Sequence, residues 1–360
     1  MHNNPSLSLF PALPQTNTIT VPCTEGMPPI FRVTSLNHYQ EARCIRYKAH
    51  LFHDKASLTV EWTRSQPDTR IQPCCLVSPR WNRHPVSHQG AVQINRLALM
   101  EHPEPEENLF RMVPHGWVKN RDLIGQAIEL IDNLPRAYRY LFNAIFWNGE
   151  RFRRYCMGPS SVNAHHNYDN GNLMHSVELA PLTLACAAGS GNGNLMHSVE
   201  LALWMRNSIK QADSSRHALA VLVGLLHDAG KADEYQLTPS GDWKLTDRGK
   251  LLGHKITIIE WIAAAHNRYK LHNLPLEHYM ALLHCLTSNA HAPEWLGIRS
   301  PRMAEAILLS GLDQASGQLE IMQRCATEQP GWGRYHDKLR GKQPYQPEPI
   351  MNVMASLRVE

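Results

Sequence analysis

The hydrophobic periodicity of the chain changes near residue 110, and this change constrains the fold more than any other feature. In ASLTVEW (56–62), Ala56, Leu58, Val60 and Trp62 alternate with polar residues. A period of two is typical of a half-buried β-strand. The runs CCLVSPRW and GAVQINRLAL also have strand character. Several short strands close together predict a small barrel or sandwich over residues 31–110.

The rest of the chain has a helical period. EHPEPEEN (101–108) is acidic and contains prolines, so we interpret it as a linker. Beyond it, Asp122 is the predicted cap of the helix LIGQAIELI, and Pro135 begins a second helix. Helical patterns continue to about residue 325. The predicted fold class is α+β, with a flexible segment (1–30), a β module (31–110), a helical domain (111–325) and a basic tail (326–360).

Composition limits the class of protein. A net charge of +4 permits a polyanionic partner without requiring one. Eight cysteines without a CxxC motif predict neither a zinc ribbon nor a disulfide framework and favour the reducing cytoplasm. The N-terminus lacks a basic region and contains prolines, so no signal peptide is predicted. The longest apolar run, ALAVLVGLL, is too short to span a membrane, and no membrane partner is expected.

The segment LVGLLHDAGK (222–231) carries the strongest chemical signal. His227 and Asp228 end an apolar helix, and Gly230 is the predicted helix stop. Imidazole together with carboxylate suits Mn²⁺, Fe²⁺, Mg²⁺ or Zn²⁺. We therefore predict a metal-binding pair rather than a solvated helix end. Lys231 is a candidate phosphate contact, or otherwise a cation at a helix C-terminus.

Further ligands are expected on separate helices. His254 lies at the start of an amphipathic segment, and His284 and His291 lie in HYMALLHCLTSNAHAPEW. Asp313 is predicted to end an otherwise apolar helix. Taken singly, Asp313 is better explained as a helix-end cap, and His284 is equally well explained as a hydrogen-bonded core histidine. The ordered series His, His-Asp, His, His, Asp is harder to explain by packing.

This series resembles the HD superfamily of metal-dependent phosphohydrolases. Over residues 30–320 the chain is most similar to bacterial 3′→5′ exoribonucleases of the YhaM type, in which an OB-fold precedes an HD domain. The segments that carry the resemblance are PSSVNAHHNYDNGNLMHSVELA, GLLHDAGK, LTDRGKLLGH, LLHCLTS and PRMAEAILLSGLD. A related HD domain occurs in TraI-type (MOBH) relaxases.

The resemblance implies a site and an activity. It implies an OB-like barrel, an all-α HD domain and a bound divalent ion, with Mn²⁺ preferred. The implied catalytic residues are Asp228 and Lys231, and the implied metal ligands are His197, His227, Asp228, His254, His284 and Asp313. It further implies a 3′→5′ exonuclease acting on single-stranded RNA or DNA. Self-association of the chain is left open.

Two departures from the family pattern concern the ligands. SNAHAPEW stands where the family has Ser-His-His, which displaces His291. In addition, NGNLMHSVELA occurs twice, at 170–180 and 192–202, so His175 and His197 compete for one role. We predict His197, because the first copy runs into Pro181, and proline in a helix interior costs about 3 kcal/mol or more.

Nucleic-acid contacts are predicted on both parts of the chain. His165 and His166 precede a Gly-containing turn and either contact phosphate or lie in a surface loop. On the β module, Arg80 and Trp81 are the preferred surface pair. Other candidate rings are Tyr47, Phe52 and Trp62, the last more consistent with a core position. Two alternative functions remain: an HD hydrolase of small nucleotides, and a catalytically impaired nucleic-acid-binding protein of a mobile element.

Overall fold

The computed structural model describes residues 25–159 and 214–348. Five long strands precede a helical region, which confirms the α+β prediction. The strands are β1 (Phe31–Gln40), β2 (Ile45–His53), β3 (Ala56–Arg64), β4 (Leu76–His88) and β5 (Ala91–Leu99). Short strands follow as β6 (Tyr235–Leu237), β7 (Trp243–Leu245), β8 (Gly331–Trp332) and β9 (Tyr345–Gln346).

The helices follow the five long strands. A 3-10 turn (Leu109–Met112) leads into α1 (Arg121–Asp132), α2 (Arg136–Phe146) and α3 (Gly149–Met157). After the undescribed gap come α4 (Ser214–Leu226), α5 (Lys231–Glu234), α6 (Asp247–Leu251), α7 (Gly253–Tyr269), α8 (Leu276–Thr287) and α9 (Ala304–Cys325).

The five long strands close into a barrel in the order β1-β2-β3-β5-β4. Strands β3 and β5 pair in parallel and the other neighbours are antiparallel. The alternation predicted for 56–62 is confirmed, because its four apolar side chains are buried in the barrel. The Trp62 ring stacks on Tyr47 there, with centroids 5.1 Å apart.

The first helix begins differently from the prediction. The side chain of Asn120 accepts hydrogen bonds from the backbone amides of Asp122 and Leu123 at 3.1 and 3.2 Å. Asn120 is therefore the cap, and Asp122 lies in the first turn, where its charge complements the helix N-terminus. Pro135 directly precedes α2, as predicted.

Residues 101–108, interpreted from sequence as a linker, are packed against α2. The buried Asn143 side chain donates to the carbonyls of Glu104 and Glu107 at 2.7 and 2.8 Å. The Trp147 indole donates to the Met100 carbonyl at 2.6 Å. Satisfying these backbone groups fixes the path of the chain between barrel and helices.

A buried arginine joins the barrel to the helical region. The Arg32 side chain on β1 is fully buried and donates to the carbonyls of Met112 and Cys74 at 2.8 and 2.9 Å. Its guanidinium carbon lies 5.0 and 5.1 Å from the ring centroids of Trp117 and Phe152. Burial lowers the pKa of Arg32 to about 10. The group therefore stays charged at neutral pH while it bridges elements distant in sequence.

The residues beyond α9, predicted to be a peripheral tail, pair as the hairpin β8–β9. No helix among the described residues is long and apolar enough to cross a membrane. The cysteines that the structure describes are free thiols, at positions 44, 74, 75, 156, 285 and 325. The cytoplasmic location and the domain boundaries stay predictions.

Candidate functional site

The site begins where the apolar helix α4 ends. Leu222, Leu225 and Leu226 pack in the helical core, so the two residues that follow are carried inward with the helix. His227 and Asp228 are only 7% and 4% exposed. Burying an imidazole and a carboxylate is unfavourable unless both are partnered, and neighbouring side chains supply the partners.

Two imidazoles face the same carboxylate. The His227 Nδ1 donates to the Gly224 carbonyl at 2.8 Å, which turns Nε2 toward Asp228 Oδ2 at 3.4 Å. The His254 Nδ1 is held by Glu234 Oε2 at 2.8 Å, and its Nε2 lies 3.4 Å from Asp228 Oδ1. We call His227, Asp228, Lys231, Glu234 and His254 the His-Asp cluster.

Charge in the His-Asp cluster keeps the carboxylate ionised. Lys231 Nζ lies 2.5 Å from Asp228 Oδ2 and is 10% exposed. Burial opposes ionisation, but Lys231, His227 and His254 outweigh it and hold the pKa of Asp228 well below its ordinary value. The predicted phosphate contact Lys231 thus supports the carboxylate directly.

The pKa of the His227 imidazole shifts upward, opposite to the shift of Asp228. Burial favours the neutral ring, but the charge and hydrogen bond of Asp228 outweigh burial, and the charge of Asp313 adds to them. Together they raise the pKa of His227 above its ordinary value. This effect places Asp313 within electrostatic range of the imidazole. Asp313 lies in the interior of α9, so the prediction that it ends a helix was wrong.

Gly230 acts through close packing and not as a helix stop. Its φ of −60° and ψ of −19° are right-handed helical values that any residue adopts. A Cβ at this position, however, would overlap the carbonyl of His254. Glycine is therefore required because α7 begins directly against α5, and this contact sets the position of His254.

Replacing Gly230 with Ala should destabilise the protein by about 1–3 kcal/mol, the usual cost of overpacking. The backbone of His254 must move to make room, which disturbs the His-Asp cluster. Chemical denaturation monitored by circular dichroism measures the effect. Gly125→Ala is the matched control, because a Cβ there meets nothing within 4 Å and alanine favours a helix. Equal stability of the two variants would contradict the assignment.

The other predicted ligands have different surroundings. His284 lies on α8, where its Nε2 accepts the backbone N–H of Arg302 at 2.9 Å. His291 is exposed, and its backbone N–H bonds the Asn289 side chain at 2.9 Å. Within residues 25–159 and 214–348, no three His, Cys, Asp or Glu side chains are arranged to hold a metal ion. His165, His166, His175 and His197 lie outside the described residues, as do both copies of the repeat.

On the barrel, the predicted stacking rings are mostly core residues. Tyr47 and Phe52 are 5% and 7% exposed, so they are not surface platforms, and the core position favoured for Trp62 is confirmed. Trp81 is partly buried and packs against the barrel core. Arg80 is exposed and pairs across the sheet with Arg96, also exposed.

Two residues that contribute to these sites were not predicted from the sequence. Glu234 orients His254, and only its position three residues after Lys231 in KADEY hinted at a place in the same turn. Arg96 doubles the positive charge beside Arg80, but strand pairing cannot be read from sequence. A cavity of about 500 Å³ also lies at the end of β3, lined by residues 63–68 and 70, and shares no residue with the His-Asp cluster.

Comparison with known proteins gives a distant relationship. No family model and no solved structure matches the chain. The 3′-5′ exoribonuclease YhaM of Bacillus licheniformis is 30% identical over 115 residues, which are 32% of this chain and 35% of that enzyme. The chain thus spans about a third of the length of this relative. It is an α+β protein distantly related to an exoribonuclease. Membership of the HD superfamily and the likeness to relaxases stay predictions.

Proposed function

We propose that this chain is a metal-dependent phosphodiesterase that removes nucleotides from the 3′ end of single-stranded RNA or DNA. The observation that carries the proposal is the His-Asp cluster, in which His227 and His254 turn their Nε2 atoms toward one buried carboxylate. Their Nδ1 atoms are each anchored at 2.8 Å. Such outer-nitrogen anchoring is the usual way in which proteins orient metal-binding histidines. The distant relationship to an exoribonuclease supports the same activity.

The donor chemistry of these residues suits a divalent cation. Under the proposal His227 and Asp228 would hold the ion together with Asp313 and His197, and His254 would be a further ligand or stabilise phosphoryl charge. No three of the described side chains are arranged to hold a metal ion, so under the proposal these side chains would have to move closer together when the ion binds. A bound Mn²⁺, or Mg²⁺, Fe²⁺ or Zn²⁺, supplies Lewis acidity that lowers the pKa of water from about 15.7 toward about 7. Because its Nε2 accepts from Arg302, His284 is left out of the proposed set.

The chain's own residues prepare this chemistry. Lys231 keeps the Asp228 carboxylate charged, so that it is ready to bind a cation. Glu234 fixes the His254 ring, which leaves Nε2 directed at the Asp228 carboxylate. Burial of His227 and Asp228 excludes bulk water, and electrostatic interactions are stronger where water is excluded.

The barrel supplies the surface for a nucleic-acid strand under this proposal. Its strand order and single parallel pair are consistent with the OB-like barrel implied by the resemblance. Arg80 and Arg96 stand opposite each other on β4 and β5. Like charges in directly opposed positions destabilise a sheet, and a polyanionic partner bound there would neutralise them.

The test is cleavage of a 5′-labelled single-stranded oligonucleotide by the purified chain with Mn²⁺. We expect a ladder of products shortened from the 3′ end, the release of mononucleotides, and no cleavage with excess EDTA. RNA and DNA substrates are compared in parallel. Cleavage of free nucleotides alone would instead indicate a small-nucleotide hydrolase. Binding of the oligonucleotide without cleavage would indicate an impaired nucleic-acid-binding protein.

A further inference from the structure

The hairpin at the end of the described chain is firmly built onto α9. We call residues 331–346 the C-terminal hairpin. Leu339 packs against Ile321 and Cys325 in a small buried cluster of its own. The Gln318 side chain on α9 bonds two backbone groups of the hairpin, at 2.8 and 2.9 Å. The C-terminal hairpin is therefore a folded element with a fixed position on the helix.

Its largest side chains take no part in this anchoring. Trp332, Tyr335 and Tyr345 are 66%, 62% and 57% exposed. The rings of Trp332 and Tyr345 contact each other edge to face, with centroids 5.1 Å apart, so each limits the motion of the other. Aromatic rings held at the surface expose flat apolar faces to solvent, which is unfavourable unless a partner covers them.

The charge around these rings favours an anion. Four cations lie in the C-terminal hairpin: Arg334, Lys338, Arg340 and Lys342, all of them exposed. Asp337 is the single carboxylate of residues 331–346, and its side chain accepts a hydrogen bond from the Tyr335 hydroxyl. Lys342 Nζ donates to a backbone carbonyl, that of Asp337, at 2.6 Å.

We propose that the C-terminal hairpin is a second binding site for single-stranded nucleic acid, in which bases stack on Trp332 and Tyr345 while Arg340 and Lys342 contact phosphates. Stacking rings beside cations are the usual means of binding single strands without sequence preference. An acidic protein would match the charge but not the exposed flat rings. The inference rests on the proposed function in one respect, namely that the bound polymer is the substrate.

Binding is measured by fluorescence anisotropy with fluorescein-labelled U20 and dT20, in EDTA so that no cleavage occurs. Substituting both rings, Trp332→Ala with Tyr345→Ala, should raise Kd by at least about 30-fold, since stacking contributes about 1–3 kcal/mol per base and two rings are removed. The matched control is Trp332→Phe with Tyr345→Phe, which keeps two rings and should stay within about threefold of the native chain. Circular dichroism verifies that both variants are folded.

The salt dependence of Kd tests the phosphate contacts separately. Each phosphate contact to a single strand contributes about 0.7 to the slope of log K against log salt. The variant carrying Arg340→Gln and Lys342→Gln should therefore show a slope shallower by about 1.4. A purely structural role for these side chains would weaken folding without changing that slope.

The outcomes separate this inference from the proposed function. An unchanged Kd in the double alanine variant overturns the hairpin site, even if the native chain cleaves RNA, and would leave a protein partner as the occupant. Failure of the native chain to bind either oligonucleotide overturns it as well. Tight binding that the alanine variant loses, without any cleavage in Mn²⁺, upholds the hairpin site while the hydrolase proposal fails.

Discussion

Asp228→Asn should lower metal-dependent cleavage by more than about 100-fold, because loss of even an outer-shell partner of a metal ligand costs 10–100-fold. The amide keeps the shape of the carboxylate but removes the charge that faces His227, His254 and Lys231. Initial rates of oligonucleotide cleavage in Mn²⁺, compared with the native chain, measure the loss.

The variant must be shown to be folded, because removing the carboxylate takes away the Asp228 charge that faces the buried Lys231 ammonium, which is itself destabilising. Far-UV circular dichroism at the assay temperature provides that evidence. Asp247→Asn is the control substitution, at a side chain that is 90% exposed, and it should cleave like the native chain. A folded Asp228→Asn protein with native activity would refute the assigned role of the His-Asp cluster.

Arg32→Ala should lower the free energy of unfolding by about 3–5 kcal/mol. The substitution removes a large buried side chain, which typically costs 2–5 kcal/mol. It also leaves the carbonyls of Met112 and Cys74 without their donors, at about 1–3 kcal/mol for each buried group. The buried Nη2 atom of Arg32 has no hydrogen-bond partner, which is unfavourable. Removing this atom therefore offsets part of the loss of stability. Urea denaturation followed by circular dichroism gives the value.

Two further variants identify the cause of the loss. Arg32→Met keeps most of the volume but not the donors, so its loss of stability should be roughly half that of Arg32→Ala. Arg70→Ala removes an exposed arginine that contacts Asp68 and Glu101 at the surface, and should leave stability nearly unchanged. If Arg32→Ala were as stable as Arg70→Ala, the buried arginine would not hold barrel and helices together.

The sequence predicts those features that depend on local patterns. The alternation at 56–62 gave both the strand and its buried face, because a period of two has only one structural explanation. Pro135 gave the start of α2 for an equally local reason. Asp122 was assigned as a cap although Asn120 fills that position, because both residue types cap helices and only the backbone geometry distinguishes them.

The site was only partly predictable, for a physical reason. His227 and Asp228 follow an apolar helix, and this local signal argued against a solvated helix end, in agreement with their burial. Glu234 and the close approach of Gly230 to His254 depend on how α5 meets α7, and no periodicity describes a contact between two elements. The exposed rings of the C-terminal hairpin were likewise not predicted, because the composition of that segment indicated only a basic tail.

The closure of the barrel has a consequence for how the protein deforms. Within the described chain, β1 and β4 pair only through Phe31 with Val77 and Arg32 with Leu76, while β1 and β2 pair along most of their length. The shortest strand pairing of the barrel, between β1 and β4, thus lies beside the Arg32 guanidinium, which also joins the barrel to the helices. Separating β1 from β4 would therefore also disturb the Arg32 contacts to the helical region, so opening of the barrel at this point is coupled to its attachment to the helices.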